Sequence, residues 1–174
     1  EGVAPGLEPL AAGRRAAVTT GQQVGLLTGP LLTAVKALAA VKIAEELSAR
    51  GADLAPVFWC ASEDHDLVEV TRVPLPGPDG PVEAGPSPEP LARNRRPVGA
   101  LPIAEDVGAI LARAREQAGA LADEESLSAL SRFHAGATYR EAFVSSLSWL
   151  LDEPALLFAD AARAEEKPAL VLLA

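Results

Sequence analysis

The spacing of apolar residues changes along the first third of the chain, and the change predicts the order of the elements there. A short β-branched run, Ala16 to Thr20, is typical of a strand, and the apolar run Leu54 to Ala61 predicts a second strand covered on both faces. Between them the apolar residues recur at steps of three and four, which predicts a helix that begins near Pro30. The side chains expected to be buried on that helix are Leu32, Val35, Ala39, Ile43 and Leu47. Strand, helix and strand in this order predict a parallel βαβ unit.

Helical spacing returns from Ala104 onward. The last helix is expected to open on a capping box formed by Thr138 and Glu141, and the run Ala155 to Ala159 predicts a final strand. The inward-facing residues expected on the helices of this half are Val107, Ile110, Leu111, Ala114, Ala118, Leu121, Leu127, Leu130, Phe143, Leu147, Leu150 and Leu151. The pattern as a whole indicates an α/β fold.

Residues 71–103 interrupt this pattern. They hold most of the prolines of the chain, which excludes a regular helix, because proline lacks the backbone N–H that a helix needs. We interpret the segment as an excursion from the sheet that includes a hairpin turning at Pro78-Asp79-Gly80.

Composition narrows the class of protein. A chain of 174 residues can bury one core, and the formal charge of −9, from 15 basic and 24 acidic residues, disfavours a nucleic-acid or anionic-membrane surface. The single cysteine, Cys60, is expected to be a buried hydrophobic residue and fits a reducing compartment. Without a signal-peptide pattern or an 18-residue apolar run, we expect a cytoplasmic protein. Because the chain lacks Met and ends in an apolar run, we expect a fragment, with residues 1–15 as the tail of an upstream segment.

Two polar connections are expected at one edge of the sheet. In parallel α/β sheets ligands bind outside the carboxyl ends of the strands, where the loop Gly21 to Gly29 and the run Ser62 to Asp66 would both lie, together with Asp160. The start of a helix after Gly29 can hold an anion, since its first N–H groups have no internal partners. The alternative is that the glycines of this loop only allow the chain to turn. Neither a Walker motif nor a G-x-G-x-x-G motif is present.

The run Ser62-Glu63-Asp64-His65-Asp66 places four ionisable groups in succession. Such groups raise one another's carboxylate pKa values unless an amine, a metal or an arginine compensates. A solvated turn capped by Ser62 or Asp64 is one interpretation. Substrate binding is another, and we favour it over a metal site because adjacent residues seldom all point inward.

Taken together, several motifs resemble one family, the bacillithiol biosynthesis cysteine-adding enzymes. They occur in the family's order between Ala16 and Asp160. The motifs are Thr20-Gly21-Gln22-Gln23, Gly29-Pro30-Leu31 with Thr33 and Lys36, Phe58-Trp59 leading into Ser62-Glu63-Asp64-His65-Asp66, Arg96-Pro97-Val98-Gly99, and Thr138 with Ala142-Phe143.

The resemblance implies an incomplete Rossmann-like catalytic domain over residues 16–174, related to class I aminoacyl-tRNA synthetases and nucleotidyltransferases. It also implies a ligase that joins the carboxyl of cysteine to the amine of glucosaminyl-malate, with ATP or a related nucleotide as the expected activator. From the acidic run itself we expect no metal. Full-length relatives are expected to be homodimers. The turn Gly29-Pro30-Leu31-Leu32 lacks the histidines that class I synthetases carry there. A nucleotidyltransferase acting on another small acceptor and an inactive truncated binding fragment are the alternatives.

Site roles follow from the resemblance combined with the spacing. His65 is expected to take the proton from the attacking amine, with Asp64 and Asp66 binding an ammonium group. Gly29 and Thr33 would present the helix start to a phosphate or a malate carboxylate, and Lys36 would add a positive charge. The remaining residues expected to bind substrate are Thr20, Gly21, Gln22, Gln23, Ser62, Glu63 and Asp160.

Overall fold

The computed structural model describes residues 6–75, 79–85, 96–103, 107–118, 124–125, 128 and 131–163. The strands are β1 Ala16–Gln23, β2 Leu54–Ala61, β3 Val73–Leu75, β4 Val82–Ala84 and β5 Leu157–Asp160. The helices are α1 Glu8–Ala11, α2 Leu32–Ser48, α3 Leu67–Val70, α4 Val107–Ala118 and α5 Tyr139–Leu151, with 3₁₀ turns at Leu26–Thr28 and Val98–Ala100.

The main sheet is parallel, as the sequence predicts. Its strand order is β1-β2-β5, and the register places Gln23 beside Ala61 and Cys60 beside Asp160. The ends of β1, β2 and β5 therefore share one edge, which confirms the predicted convergence of the connections that follow them. β1 continues three residues beyond the predicted Thr20, so Gly21 to Gln23 belong to the strand and not to the loop.

Apolar residues cover both faces of β2. Phe58 and Cys60 join the larger core cluster, where Phe58 packs against Phe143 of α5 with ring centroids 5.8 Å apart. On the other face, Val57 packs with Leu7 and Leu10 of the short N-terminal segment. The prediction of a strand buried on both faces, with a buried cysteine, is confirmed.

The buried face of α2 is not the one that the spacing of large aliphatic residues predicts. Leu32, Val35, Ile43 and Leu47 are 38–59% exposed and Ala39 is also exposed. The buried side chains are Thr33, Ala34, Ala37, Ala40, Val41 and Ala44. Small side chains let the helix backbone approach β1 and β2 closely, and this packing overrides the pattern of the larger residues. The helix also begins at Leu32, two residues after the predicted Pro30.

The other predicted elements are mostly confirmed. β3 and β4 form an antiparallel hairpin around Asp79 and Gly80, and α5 opens on the Thr138–Glu141 capping box. The last strand runs from Leu157 to Asp160, shifted toward the carboxyl end of the predicted run.

Most of the predicted inward-facing residues that the structure describes are buried. Leu150 is 50% exposed, which corrects its expected burial: Phe143, Leu147 and Leu151, four residues apart, form the face of α5 that packs on the core, and Leu150 lies off that face. Pro78 and the side chains of Ala118, Leu121, Leu127 and Leu130 lie outside the described residues. Within the described part of the chain, no helix is long and apolar enough to cross a membrane.

Candidate active site

The end of β1 and the run after β2 are joined by side chains. Gln23 Nε2 donates a hydrogen bond to Asp64 Oδ2. Because Gln23 is the last residue of β1 and Asp64 comes three residues after β2, this bond links the two segments that sequence analysis places at one edge. The contact supports the central hypothesis of a shared site.

Asp64 and Asp66 organise the backbone of the run Ser62 to Asp66, which we call the acidic loop. Asp64 Oδ1 accepts from the N–H of His65 at 2.6 Å and of Asp66 at 3.0 Å. The hydrogen bond from Gln23, followed by that from the Asp66 N–H, holds the pKa of Asp64 below its usual range. These backbone bonds make Asp64 the cap of the turn, one of the two residues considered from sequence. Asp66 caps α3 by accepting from Glu69 N–H at 3.2 Å.

The second 3₁₀ turn fixes the acidic loop from another side. Gly99 N–H donates to Ser62 O at 2.9 Å, and Val98 N–H donates to Asp64 O at 2.8 Å. A Cβ at Gly99 would overlap the Ser62 side chain and lie 3.1 Å from Ser62 Cα and O. Glycine is therefore required here by close packing against the loop, and this explains one residue of the Arg96-to-Gly99 motif.

Ser62, Arg140 and Asp160 form a closed polar group that we call the Asp160 cluster. Ser62 Oγ donates to Asp160 Oδ1, and Arg140 pairs with Asp160 Oδ2. The N–H of Ala162 also donates to Asp160 Oδ1, at 3.0 Å. Ser62 and Asp160 are only 1% and 4% exposed, so both predicted substrate-binding residues are enclosed by protein groups. Their position fits a structural role that anchors the acidic loop to β5.

An open cavity of about 340 Å³, the α2 pocket, lies beside the start of α2. Gln22, Gln23 and Gly29, three of the predicted substrate-binding residues, line it. The remaining lining residues come from the start of α2 and from the segment through α3 to β3, namely Gly25, Pro30, Leu31, Glu69, Val70, Arg72, Val73 and Pro74. Its size suits a small molecule.

The backbone is unusual where it enters α2. Leu27, Thr28 and Gly29 have φ values of 53°, 69° and 71°. Left-handed backbone is unfavourable for a β-branched residue such as Thr28, and such strain is concentrated at functional sites. Behind Gly29 lies Thr33, which is 1% exposed and whose Oγ1 has no hydrogen-bond partner among the described residues.

Other predicted residues contact the protein itself. Lys36 Nζ donates to Gly21 O at 2.5 Å and to Gln22 Oε1 at 3.1 Å, which ties α2 to β1. A Cβ at Gly21 would lie 2.7 Å from Trp59 O, so the close approach of β2 accounts for that glycine. Thr20 lies within β1, opposite Phe58.

The acidic loop does not line the α2 pocket and is linked to it through the hydrogen bond from Gln23 to Asp64. Glu63, His65 and Asp66 are exposed, and none of them is among the residues that line the α2 pocket. Sequence analysis missed Glu69 and Arg72, which do line it. They belong to no recognised motif; their only signal is that they follow the acidic loop along the chain.

The parallel sheet, with polar residues gathered at its carboxyl edge, defines a Rossmann-like α/β domain. A model of one family, described as "Bacillithiol biosynthesis BshC, N-terminal Rossmann-like domain", matches residues 2–171. The chain belongs to this family.

Individual relatives are similar over a shorter stretch. Three proteins named "Putative cysteine ligase BshC" match: 60% identical over 63 residues in Koribacter versatilis, 52% over 69 in Solibacter usitatus and 50% over 70 in Halalkalibacterium halodurans. These alignments cover 36–40% of this chain and 12–13% of each relative. The chain therefore matches only a small part of the length of these relatives.

Proposed function

We propose that this chain is the Rossmann-like part of a ligase that joins the carboxyl of cysteine to the amine of glucosaminyl-malate in bacillithiol biosynthesis. The family membership supports the reaction class, and the names of the relatives agree with it. The observation that carries the proposal is the Gln23–Asp64 hydrogen bond, which brings the two family motifs together beside a pocket.

Within this proposal His65 is the general base. Its backbone N–H donates to Asp64, and its side chain is exposed. Asp64 in turn accepts from Gln23, which lines the pocket. When the acceptor amine attacks the activated carboxyl carbon, a nitrogen–carbon bond forms, the bond to the activating group breaks, and the imidazole takes the proton from nitrogen. The loop thus positions a proton acceptor while its two aspartates hold the backbone.

A nucleotide would supply the activation of the cysteine carboxyl. Gly29 and the start of α2 fit a phosphate group, since helix N-termini favour anions and the Thr33 hydroxyl there lacks a partner among the described residues. The start of α2 then orients the anionic group of whichever substrate binds there. We propose no metal; among the described residues no group of three or more His, Cys, Asp and Glu side chains is placed to hold one.

The test is a coupling assay followed by mass spectrometry. The protein expressed from its complete reading frame is incubated with cysteine, glucosaminyl-malate and ATP, and product is measured for the wild type and for His65→Ala. We expect the variant to lose about 100-fold or more in rate, the usual contribution of a general base, with an unchanged unfolding midpoint. Retained activity in His65→Ala would remove this residue from the mechanism. Turnover only with other acceptors would favour a nucleotidyltransferase.

A further inference from the structure

The α2 pocket contains one cation that no family motif includes. Arg72 lies directly before β3, and it is the only positively charged residue among the described residues that line the pocket. Lys36, the cation expected from sequence, donates its bonds to Gly21 O and Gln22 Oε1 instead. The positive charge available to a pocket ligand therefore comes from the chain after the acidic loop.

Arg72 is held in place by the hairpin. Its Nη1 lies 2.7 Å from Glu83 Oε2 on β4, and its side chain is 34% exposed. A guanidinium carries five N–H donors in a rigid plane, and this ion pair involves one nitrogen. Arg72 is therefore a pre-positioned cation that can still bind a planar or tetrahedral anion.

Another part of the pocket wall also favours an anion. Gly29, Pro30 and Leu31 line the pocket where α2 begins, and the Leu31 cap position supplies no side-chain hydrogen bond. Thr33 is not a lining residue. It is only 1% exposed behind Gly29, and its Oγ1, without a described partner, lies 3.7 Å from the place that a Gly29 Cβ would occupy. A buried hydroxyl without a partner is unfavourable, so a ligand group that reaches it is stabilised.

Glu69 restricts the ligand further. Glu69 lines the same pocket and is exposed, so its carboxylate places a negative charge at the pocket. A purely anionic ligand is repelled by this charge, whereas a ligand that also carries an ammonium group is attracted by it.

We propose that Arg72 recognises the acidic group of the pocket's ligand, a molecule that carries a carboxylate or phosphate together with an amine. The link between this ligand and amide formation rests on the proposed function. The assignment of an anion to Arg72 and of an amine to Glu69 does not rest on the proposed function, because it follows from the residues that line the pocket.

Isothermal titration of the chain with glucosaminyl-malate, cysteine, ATP and inorganic phosphate tests the proposal. Arg72→Gln removes the cation, and Glu83→Gln is the matched control, because it breaks the same ion pair and keeps the guanidinium. We expect Arg72→Gln to bind the pocket ligand about tenfold more weakly or worse, since a charge-assisted hydrogen bond is lost. Glu83→Gln should stay within about threefold of the wild type, as expected for a partly exposed pair.

The ligand that loses affinity identifies the source of the anion. A loss for glucosaminyl-malate or cysteine, which both carry an amine, assigns a carboxylate and supports the proposal. A loss confined to ATP and inorganic phosphate, which carry no ammonium group, assigns a phosphate to Arg72 and contradicts the amine in the proposed ligand. Glu69→Gln should weaken the amine-bearing ligands and leave inorganic phosphate unchanged or tighter.

Three further results would overturn the proposal: no binding by the wild type, equal binding by Arg72→Gln in every titration, or an equal loss in both variants. Circular dichroism of each variant shows whether it is folded. Arg72-dependent binding without coupling activity would reject the proposed function and leave this inference standing. Coupling activity together with unchanged ligand binding in Arg72→Gln would reject this inference and leave the proposed function standing.

Discussion

The Asp160 cluster and the α2 pocket lie at the same edge of the sheet, yet they differ in how their polar groups are satisfied. In the cluster, Ser62, Arg140 and the Ala162 N–H all converge on one buried carboxylate. At the pocket, the Thr33 hydroxyl behind the lining residue Gly29 has no described partner, and Arg72 lines the cavity. A buried polar group that the protein satisfies itself stabilises the fold, whereas one left for a ligand costs stability until the ligand binds.

The sequence does not distinguish the two regions. Ser62, Asp160 and Thr33 are all small polar residues next to strand ends or helix starts, and sequence analysis assigns substrate binding to each of them. In the structure, protein groups enclose and hydrogen-bond Ser62 and Asp160, whereas Thr33 has no described partner. We therefore expect Ser62 and Asp160 to affect substrate binding only by holding the acidic loop in place. Four substitutions test this distinction.

The largest effect is expected at the centre of the Asp160 cluster. Asp160→Asn leaves Arg140 half-buried beside a neutral amide, and we expect a loss of about 3 kcal/mol in the free energy of unfolding, measured with urea. Asp53→Asn is the control, because Asp53 pairs with Arg15 at the surface and is 73% exposed; it should cost less than about 1 kcal/mol. Equal effects of the two changes would mean that the cluster is no more than a surface pair.

The next effect tests how the acidic loop is held. Gly99→Ala places a methyl group against Ser62, so we expect a loss of about 1–3 kcal/mol in urea unfolding and a displaced loop. Gly108→Ala in α4 has open space around the new methyl group and should stabilise the helix by about 0.5–1 kcal/mol. If Gly99→Ala also proved neutral, the 3₁₀ turn would not be what positions the loop.

A smaller effect concerns the bond between the two family motifs. Gln23→Leu removes the main cause of the low pKa of Asp64, so this pKa should rise toward its usual range. A lowered pKa in the folded state stabilises the protein above the unfolded-state value, and this stability is lost as the pH falls through the folded value. As the pH is raised from about 2 to about 5, the free energy of unfolding should therefore increase less in the variant than in the wild type. Superimposable stability curves over that range would contradict the contact.

The smallest effect is expected at Thr33, behind the lining residue Gly29. Thr33→Val removes a hydroxyl that has no described partner, so the free energy of unfolding should be unchanged or about 1 kcal/mol higher than in the wild type. Thr71→Val is the matched control, because the buried Thr71 Oγ1 donates to Leu67 O, and it should destabilise by about 1 kcal/mol. Destabilisation by Thr33→Val equal to that of the control would show that this hydroxyl is already satisfied.

The sequence pattern predicted an element correctly where a single local requirement determines that element. The bounds of β2 match the predicted run Leu54 to Ala61, because a strand buried on both faces must be apolar throughout. The Thr138–Glu141 capping box also forms as predicted, since its hydrogen bonds involve residues only three positions apart.

Long-range packing decided the features that sequence analysis missed. α2 is rich in alanine and in larger aliphatic residues, so more than one face could be buried, and close approach to β1 and β2 selects the alanines. Arg72 lines the pocket because the chain from α3 into β3 lies across the cavity from Gly29, Pro30 and Leu31.

The amino-acid order alone was enough to establish the parallel βαβ arrangement, the shared edge and the family, because strand periodicity, turn residues and motif spacing are local properties. Which polar residues are enclosed and which face a ligand depended on contacts between segments as distant as Ser62 and Asp160. Burial and hydrogen-bond satisfaction arise only when such segments pack together, and for this reason the pocket and its cation became visible only in the folded chain.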